Sequence, residues 1–110
     1  MKTKIIYMEL KSHGPHDDRG EARIGRVTFS KSFKSIHYNG KTFRRSHETG
    51  CGNYVDAETG DEYWISGAKK NGEDRYYWAK SAPVWIDEDV REEYWTTIRN
   101  EPAKIKEVKI

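Results

Sequence analysis

Two carboxylates on either side of a predicted turn, Asp56 and Glu62, are the first candidates for chemistry in this chain. The residues between them, AETG at 57–60, are typical of a type I turn that ends on a glycine in the left-handed conformation. That turn predicts two antiparallel strands on which the carboxylates lie opposite each other. A carboxylate pair can act as general acid and base, so a small hydrolase using Asp56 and Glu62 is one hypothesis, although a turn of one small sheet implies no cleft.

Aromatic rings accompany these carboxylates. The same register pairs Tyr54 with Trp64, and a second two-residue turn at Asn71-Gly72 adds residues from the following strand. One sheet face is thereby predicted to hold Tyr54, Asp56, Glu62, Trp64, Arg75 and Tyr77, and the opposite face Val55, Tyr63, Ile65, Gly67, Tyr76 and Trp78.

The mixed face is the predicted binding site. Arg75 can bridge the two carboxylates with its forked donors, and exposed rings beside charges are typical of surfaces that bind partners. We therefore expect a non-enzymatic binding module that engages another macromolecule, most simply a protein, as a regulator, inhibitor or immunity-type protein does. The alternative is that the C-terminal helix or the first strand covers the rings.

A basic hairpin supports a different function. Asn39-Gly40 is a strong signal for a two-residue turn, and it pairs Tyr38 with Lys41 and Ile36 with Phe43. Basic side chains interleaved with aromatic rings can bind single-stranded nucleic acid, and a basic edge that resists aggregation is the other interpretation. The candidate residues are Lys31, Lys34, Lys41, Arg44 and Arg45.

Two loops carry possible metal ligands or nucleophiles. Residues 13–18, HGPHDD, have no zinc-type spacing, and a solvated loop is expected there. His47 and Cys51 lie four apart, which favours a surface thiol over a catalytic pair, because such a pair needs spatial placement that sequence does not show. We therefore predict no metal site and no cofactor.

Short strands and one helix must position these residues. Alternating patterns predict strands at 4–11, 24–30 and in the 33–45 hairpin, followed by the 54–78 meander and a short strand at 84–86. Asp87 is a good helix N-cap, and Val90, Tyr94 and Ile98 form an apolar stripe. The expected fold is mainly β, a strongly bent antiparallel meander or small open barrel with one C-terminal helix packed on it.

Composition bounds the class of protein. The chain of 110 residues predicts one domain, 1–110, whose tail at 103–110 is either an edge strand or frayed. Mean hydropathy is low, −1.03, but 13% aromatic residues favour a folded β-domain.

Charge and cysteine content add further expectations. Residues 1–50 carry 11 basic and 5 acidic side chains, and residues 51–110 carry 9 and 13. With one cysteine and no signal-like or membrane-like run, we expect a cytoplasmic protein with no membrane partner. Its oligomeric state is open.

Four strings resemble a group of small bacterial proteins with no established activity. They cover residues 22–32, 36–43, 52–78 and 84–95, and include IHYNGKTF and VWIDEDVREEYW. Some members of that group carry the name 1-deoxy-D-xylulose-5-phosphate synthase. Such an enzyme holds thiamine diphosphate and a divalent metal between large α/β domains, whereas this chain is far too short and has no GDG-type motif. The resemblance therefore carries over no catalytic residue.

Overall fold

Seven strands and one helix make up the architecture of the part of the chain that the structure describes. The computed structural model describes residues 2–11, 21–32, 34–46, 52–74 and 83–110. The strands are β1 (Thr3–Leu10), β2 (Ala22–Phe29), β3 (Ser35–Tyr38), β4 (Lys41–Arg45), β5 (Tyr54–Asp56), β6 (Glu62–Gly67) and β7 (Val84–Ile86). The helix α1 follows β7 and has 11 residues. It begins with a 3₁₀ turn at Glu88–Val90 and ends with a wider π-type turn at Tyr94–Ile98.

The sheet closes into a barrel. The first five strands each pair antiparallel with the next, up to β5 with β6, and β6 pairs back with β1, with Met8 opposite Ile65. Closure gives the backbone groups of these strands partners on both sides, which removes open edges from the six-stranded unit. The predicted mainly-β class with one C-terminal helix is confirmed, and the barrel is closed rather than open.

The strand β7 extends the sheet beyond the barrel. It runs parallel to β2, with Ala22 opposite Val84, and it occupies the same edge of β2 that pairs with β3 further along, at Thr28. The two strands β3 and β7 therefore diverge beside the middle of β2. On its outer side β7 pairs with the C-terminal residues, where Trp85 lies opposite Lys109.

Two apolar clusters lie on opposite sides of β1 and β2. Six strands enclose a space that side chains can fill, and the barrel interior holds Ile6, Met8, Val27, Ile36, Phe43, Tyr54 and Ile65. The second cluster lies outside the barrel beneath α1 and comprises Ile5, Tyr7, Ala22, Ile24, Val84, Ile86, Val90, Tyr94 and Trp95. The alternation of strand side chains lets β1 supply both clusters.

The predicted β3–β4 hairpin is confirmed residue by residue. Tyr38 lies opposite Lys41 and Ile36 opposite Phe43. Asn39 and Gly40 have φ angles of 49° and 77°, the positive values that a two-residue turn of this type needs. Ile36 and Phe43 are buried in the barrel, as the register predicts.

The predicted register of β5 and β6 is wrong by one residue. Tyr54 lies opposite Tyr63, and Val55 lies opposite Glu62. The loop closes earlier than expected, because Gly60 N–H donates to the Asp56 carbonyl at 2.8 Å and Asp56 N–H donates to the Asp61 carbonyl at 2.9 Å. A shift of one residue between strands changes which side chains share a face. Tyr54 and Asp56 therefore do not share a face with Glu62 and Trp64.

The predicted turn at Asn71-Gly72 is described only in part. Gly72 has a positive φ of 74°, but its N–H donates to the Lys69 carbonyl at 3.2 Å. The turn therefore encloses Lys70 and Asn71, one residue earlier than predicted. Lys69 N–H donates to the Asp74 side-chain Oδ1 at 2.8 Å. Residues 75–80 lie outside the described part of the chain, and so do the pairings predicted for them.

Candidate binding surfaces

Trp64 is an exposed aromatic residue on the outer face of the barrel. Its side chain is 42% exposed, on the middle of β6, where its neighbour Ile65 points inward to the core. A strand residue between two inward-facing residues points outward by the period of two. The face that carries Trp64 is therefore distinct from the barrel interior. It is accessible on the β4–β6 side of Trp64, whereas Glu9, opposite Trp64 on β1, is buried.

A row of unlike side chains runs beside Trp64. The cross-strand partners Arg44, Val55 and Glu62 lie on β4, β5 and β6 in that order. Arg44 is exposed, and Val55 and Glu62 are half-exposed. We call Arg44, Val55, Glu62 and Trp64 the Trp64 face. It offers a large ring, an aliphatic contact and both signs of charge, the mixture that protein-binding surfaces use.

The predicted binding set divides between two environments. Glu62 and Trp64 lie on the Trp64 face, whereas Tyr54 and Asp56 are 6% and 3% exposed on the barrel side. Arg75 and Tyr77 lie outside the described residues. Val55 was predicted on the opposite face and Arg44 only as a nucleic-acid contact. The observed pairing places both on the Trp64 face.

Asp56 has a structural role at the β5–β6 turn. Its Oδ1 accepts hydrogen bonds from the backbone N–H of Glu58 at 2.8 Å and of Thr59 at 3.3 Å. These bonds to the charged form, that of Glu58 foremost, together with the cation of Lys41, lower the pKa of Asp56 below its usual value. Because Asp56 and Glu62 lie on opposite sides of the sheet, they do not form the acid–base pair that a hydrolase needs.

The basic residues of the first hairpin separate into two groups. Arg45 N–H donates to the Lys34 carbonyl, so Lys34, Arg44 and Arg45 lie at the end of the β3–β4 hairpin that is joined to the turn containing Lys31. These four side chains are exposed and form no ion pair within the described part of the chain. Lys41 lies at the other end, 4.0 Å from Asp56.

A pocket opens at the end of the barrel near Lys41. Its volume is about 200 Å³, and its walls come from β1, β2, β3, β4, β6 and the turn after β3. We call it the barrel mouth. Its lining residues are Met8, Glu21, Arg23, Tyr38, Asn39, Lys41, Phe43 and Tyr63.

Beside the barrel mouth, a polar cluster closes the gap between β3 and β7. The Tyr38 hydroxyl donates to Asp87 Oδ2, and Arg23 Nε donates to Asp87 Oδ1 at 3.1 Å. Burial foremost, then the hydrogen bond and charge of Asp87, raise the pKa of Tyr38. Gly25 makes room for the cluster, since a Cβ there would lie 2.5 Å from Asp87 Oδ2. The cluster joins the residue before α1 to the barrel.

The structure tests few of the remaining predictions. Residues 13–18, His47 and Cys51 lie outside the described residues. Among the residues that the structure does describe, no group of three or more potential ligands could hold a metal ion, and no helix is long and apolar enough to cross a bilayer.

Comparisons with known proteins give no relative. Neither a family model, nor a curated protein, nor a solved structure matches the chain.

The sequence contained partial signals for the barrel mouth. Tyr38, Phe43 and Lys41 belong to the hairpin whose register was predicted, and Tyr63 belongs to the aromatic meander. No pattern along the chain joins these strands to Met8 and Arg23, because the pocket exists only after β1 closes the barrel against β6.

Proposed function

We propose that this protein is a non-enzymatic binding module that engages another protein through the Trp64 face. The observation that carries the proposal is the 42% exposure of Trp64 in the middle of a strand. A tryptophan left in water in the folded state gains free energy when a partner covers it, and tryptophan and arginine are the side chains most enriched at the energetic centres of interfaces. Arg44 and Glu62 would orient a partner of complementary charge.

The curved outer surface of the barrel suits this role. The strands β4, β5 and β6 belong to a closed barrel, so the backbone under the Trp64 face is held by hydrogen bonds on both sides of each strand. A rigid surface loses little conformational entropy when it binds. This supports recognition by a preformed surface.

The test is affinity capture with three forms of the protein: wild type, Trp64→Ala and Trp85→Ala. Trp85 is the matched control, since it is 40% exposed on β7, outside the barrel. We expect wild type and Trp85→Ala to retain the same partner, and Trp64→Ala to weaken binding by about thirtyfold, as loss of an interface centre does. Titration of the purified partner measures the change.

The control for folding is thermal unfolding of all three forms. Equal melting temperatures assign a loss of capture to the surface and not to unfolding. Equal binding by wild type and Trp64→Ala, or a weakened binding by both variants alike, would contradict the proposal.

The four basic residues at one end of the hairpin support single-stranded nucleic-acid binding as a second candidate. Lys31, Lys34, Arg44 and Arg45 are exposed, and unpaired cations bind phosphates with release of counterions. Their lack of carboxylate partners in the described residues leaves them available. Lys41, at the far end of the hairpin, is not needed for this version of the interface.

Fluorescence anisotropy with a labelled single-stranded oligonucleotide tests the second candidate. We expect the logarithm of affinity to fall with the logarithm of salt with a slope of about −0.7 per phosphate contacted. The variant Lys34→Gln/Arg44→Gln/Arg45→Gln should lose this binding. The matched control Lys104→Gln/Lys106→Gln/Lys109→Gln removes the same charge from the C-terminal segment, and equal losses in both would reveal only nonspecific attraction.

A further inference from the structure

The barrel mouth is a second site with a chemistry different from that of the Trp64 face. Mouths of β-barrels are common places for small ligands, and this pocket of about 200 Å³ is suited to a group of few atoms. We propose that the barrel mouth binds a small organic cation, an alkylammonium group. The inference is independent of the protein partner proposed above.

Aromatic rings line the pocket. Phe43 and Tyr63 meet edge to face, with centroids 4.9 Å apart and planes at 73°, and Tyr38 contributes a third ring. The electron-rich faces of such rings attract cations, and alkylated ammonium groups are recognised by cages of aromatic side chains. The apolar floor, Met8 and Phe43, accommodates the methyl or methylene groups that such a cation carries.

The charges around the pocket favour a cation over an anion. Both lining cations already face carboxylates: Arg23 contacts Glu21 at 3.2 Å and Asp87 at 3.1 Å, and Lys41 lies 4.0 Å from buried Asp56. An anionic ligand would have to compete with these carboxylates for Arg23 and Lys41, whereas a cationic ligand would be attracted by the carboxylates.

The raised pKa of the Tyr63 phenol agrees with this preference for positive charge. Burial is the main cause of its raised pKa, and the negative charges of Asp61, Asp56 and Glu21 raise it further. The carboxylates that disfavour a negative phenolate at this position also stabilise a positive ligand beside it.

Choline and its neutral isostere 3,3-dimethylbutan-1-ol are the probes, with acetate as the anionic probe. Each is titrated into the full chain while backbone amide shifts are followed by NMR. We expect choline to shift the amides of the barrel mouth in a saturable way, and to bind at least about fivefold more tightly than the neutral isostere. Equal affinity for the two isosteres, tighter binding of acetate, or no saturable shift would overturn the proposal.

Matched variants locate the binding. Tyr63→Leu removes the ring and should weaken choline at least about fivefold, whereas Tyr63→Phe keeps the ring face and should stay within about twofold. Glu21→Gln should weaken choline, and Glu92→Gln, the same change on the exposed surface of α1, should not. The comparison of Glu21→Gln with Glu92→Gln keeps the test decisive if Tyr63→Leu unfolds. Choline binding unaffected by Glu21→Gln, or lost equally in Glu92→Gln, would contradict the assignment.

Discussion

The outer surface of the barrel has two faces of opposite character. On β1 and β2, the outward side chains Ile5, Tyr7 and Ile24 are buried beneath α1 and β7. On β4 to β6, the outward side chains are exposed or half-exposed, as at Arg44 and Trp64. We call the outer side of β1 and β2 the covered face and that of β4 to β6 the uncovered face. The two faces share one barrel interior, so the difference comes from what packs outside it.

Two tryptophans, Trp95 and Trp64, show the contrast between the covered and the uncovered face. Trp95 of α1 is 2% exposed. Its Nε1 donates to the Glu107 carbonyl at 2.9 Å, and its ring lies 5.1 Å from that of Tyr94. Trp64 has the same side chain but lies on the uncovered face. A ring that is already covered contributes to folding, and an uncovered ring is available for binding, so residue type alone does not assign the role.

The largest expected effect is on the covered face. Trp95→Ala removes a buried ring and a hydrogen bond, and should lower the free energy of unfolding by about 3–5 kcal/mol. Chemical denaturation monitored by circular dichroism measures this. A loss below about 1 kcal/mol would show that α1 packs loosely and that the two faces differ less than the structure indicates.

A substitution at Gly25, where the covered face meets the uncovered face, should have an intermediate effect on the free energy of unfolding. Gly25→Ala would place a Cβ 2.5 Å from Asp87 Oδ2 and 2.8 Å from the Tyr38 ring. Overpacking of this kind costs about 1–3 kcal/mol, and restoring space with Gly25→Ala/Tyr38→Leu should recover part of it. Thermal unfolding of both variants is the measurement, and an unchanged melting temperature in Gly25→Ala would show that the Tyr38–Asp87 contact is not held tightly.

The turn beside the uncovered face should show a pH-dependent effect. The folded state lowers the pKa of Asp56 below its ordinary value of 3.8. The stabilisation of the fold by the Asp56 charge is therefore fully present at a pH above that ordinary pKa. It is lost as the pH falls through the pKa of Asp56 in the folded state. Asp56→Asn should cost about 1 kcal/mol at neutral pH, and the difference from wild type should vanish in acid.

Urea unfolding of wild type and Asp56→Asn across the acidic range checks this sign. Glu58→Gln, which changes an exposed carboxylate of the same turn, is the control. A difference that grows on acidification would mean that the charge of Asp56 destabilises the turn.

The smallest expected effect on stability belongs to Trp64. Trp64→Ala should change the free energy of unfolding by no more than about 0.5 kcal/mol, because an exposed side chain gives up little when removed. Denaturation under the conditions used for Trp95→Ala gives a direct comparison. A loss of about 3–5 kcal/mol would place Trp64 in a packed core and remove the basis of the proposed protein-binding surface.

Local signals were enough for the β3–β4 hairpin but not for the β5–β6 pair. Asn39-Gly40 specifies a two-residue turn, which sets one register. The AETG loop allows more than one closure, and the Asp56 side chain selects the shorter one through its bonds to Glu58 and Thr59. An aspartate at the start of a turn is a signal for such backbone bonding, and in this turn the bonding accompanies the register in which Asp56 and Glu62 lie on different faces.

The sequence by itself determined the mainly-β class, the hairpin at Asn39-Gly40 and the helix after β7, because turn residues and side-chain periodicity act over a few neighbours. Only the tertiary structure decided that Trp64 is exposed, that Asp56 faces inward and that a pocket opens at the barrel mouth. These features depend on β1 pairing with both β2 and β6 and on the position of α1. Contacts between distant segments are set by packing, which local patterns along the chain do not encode.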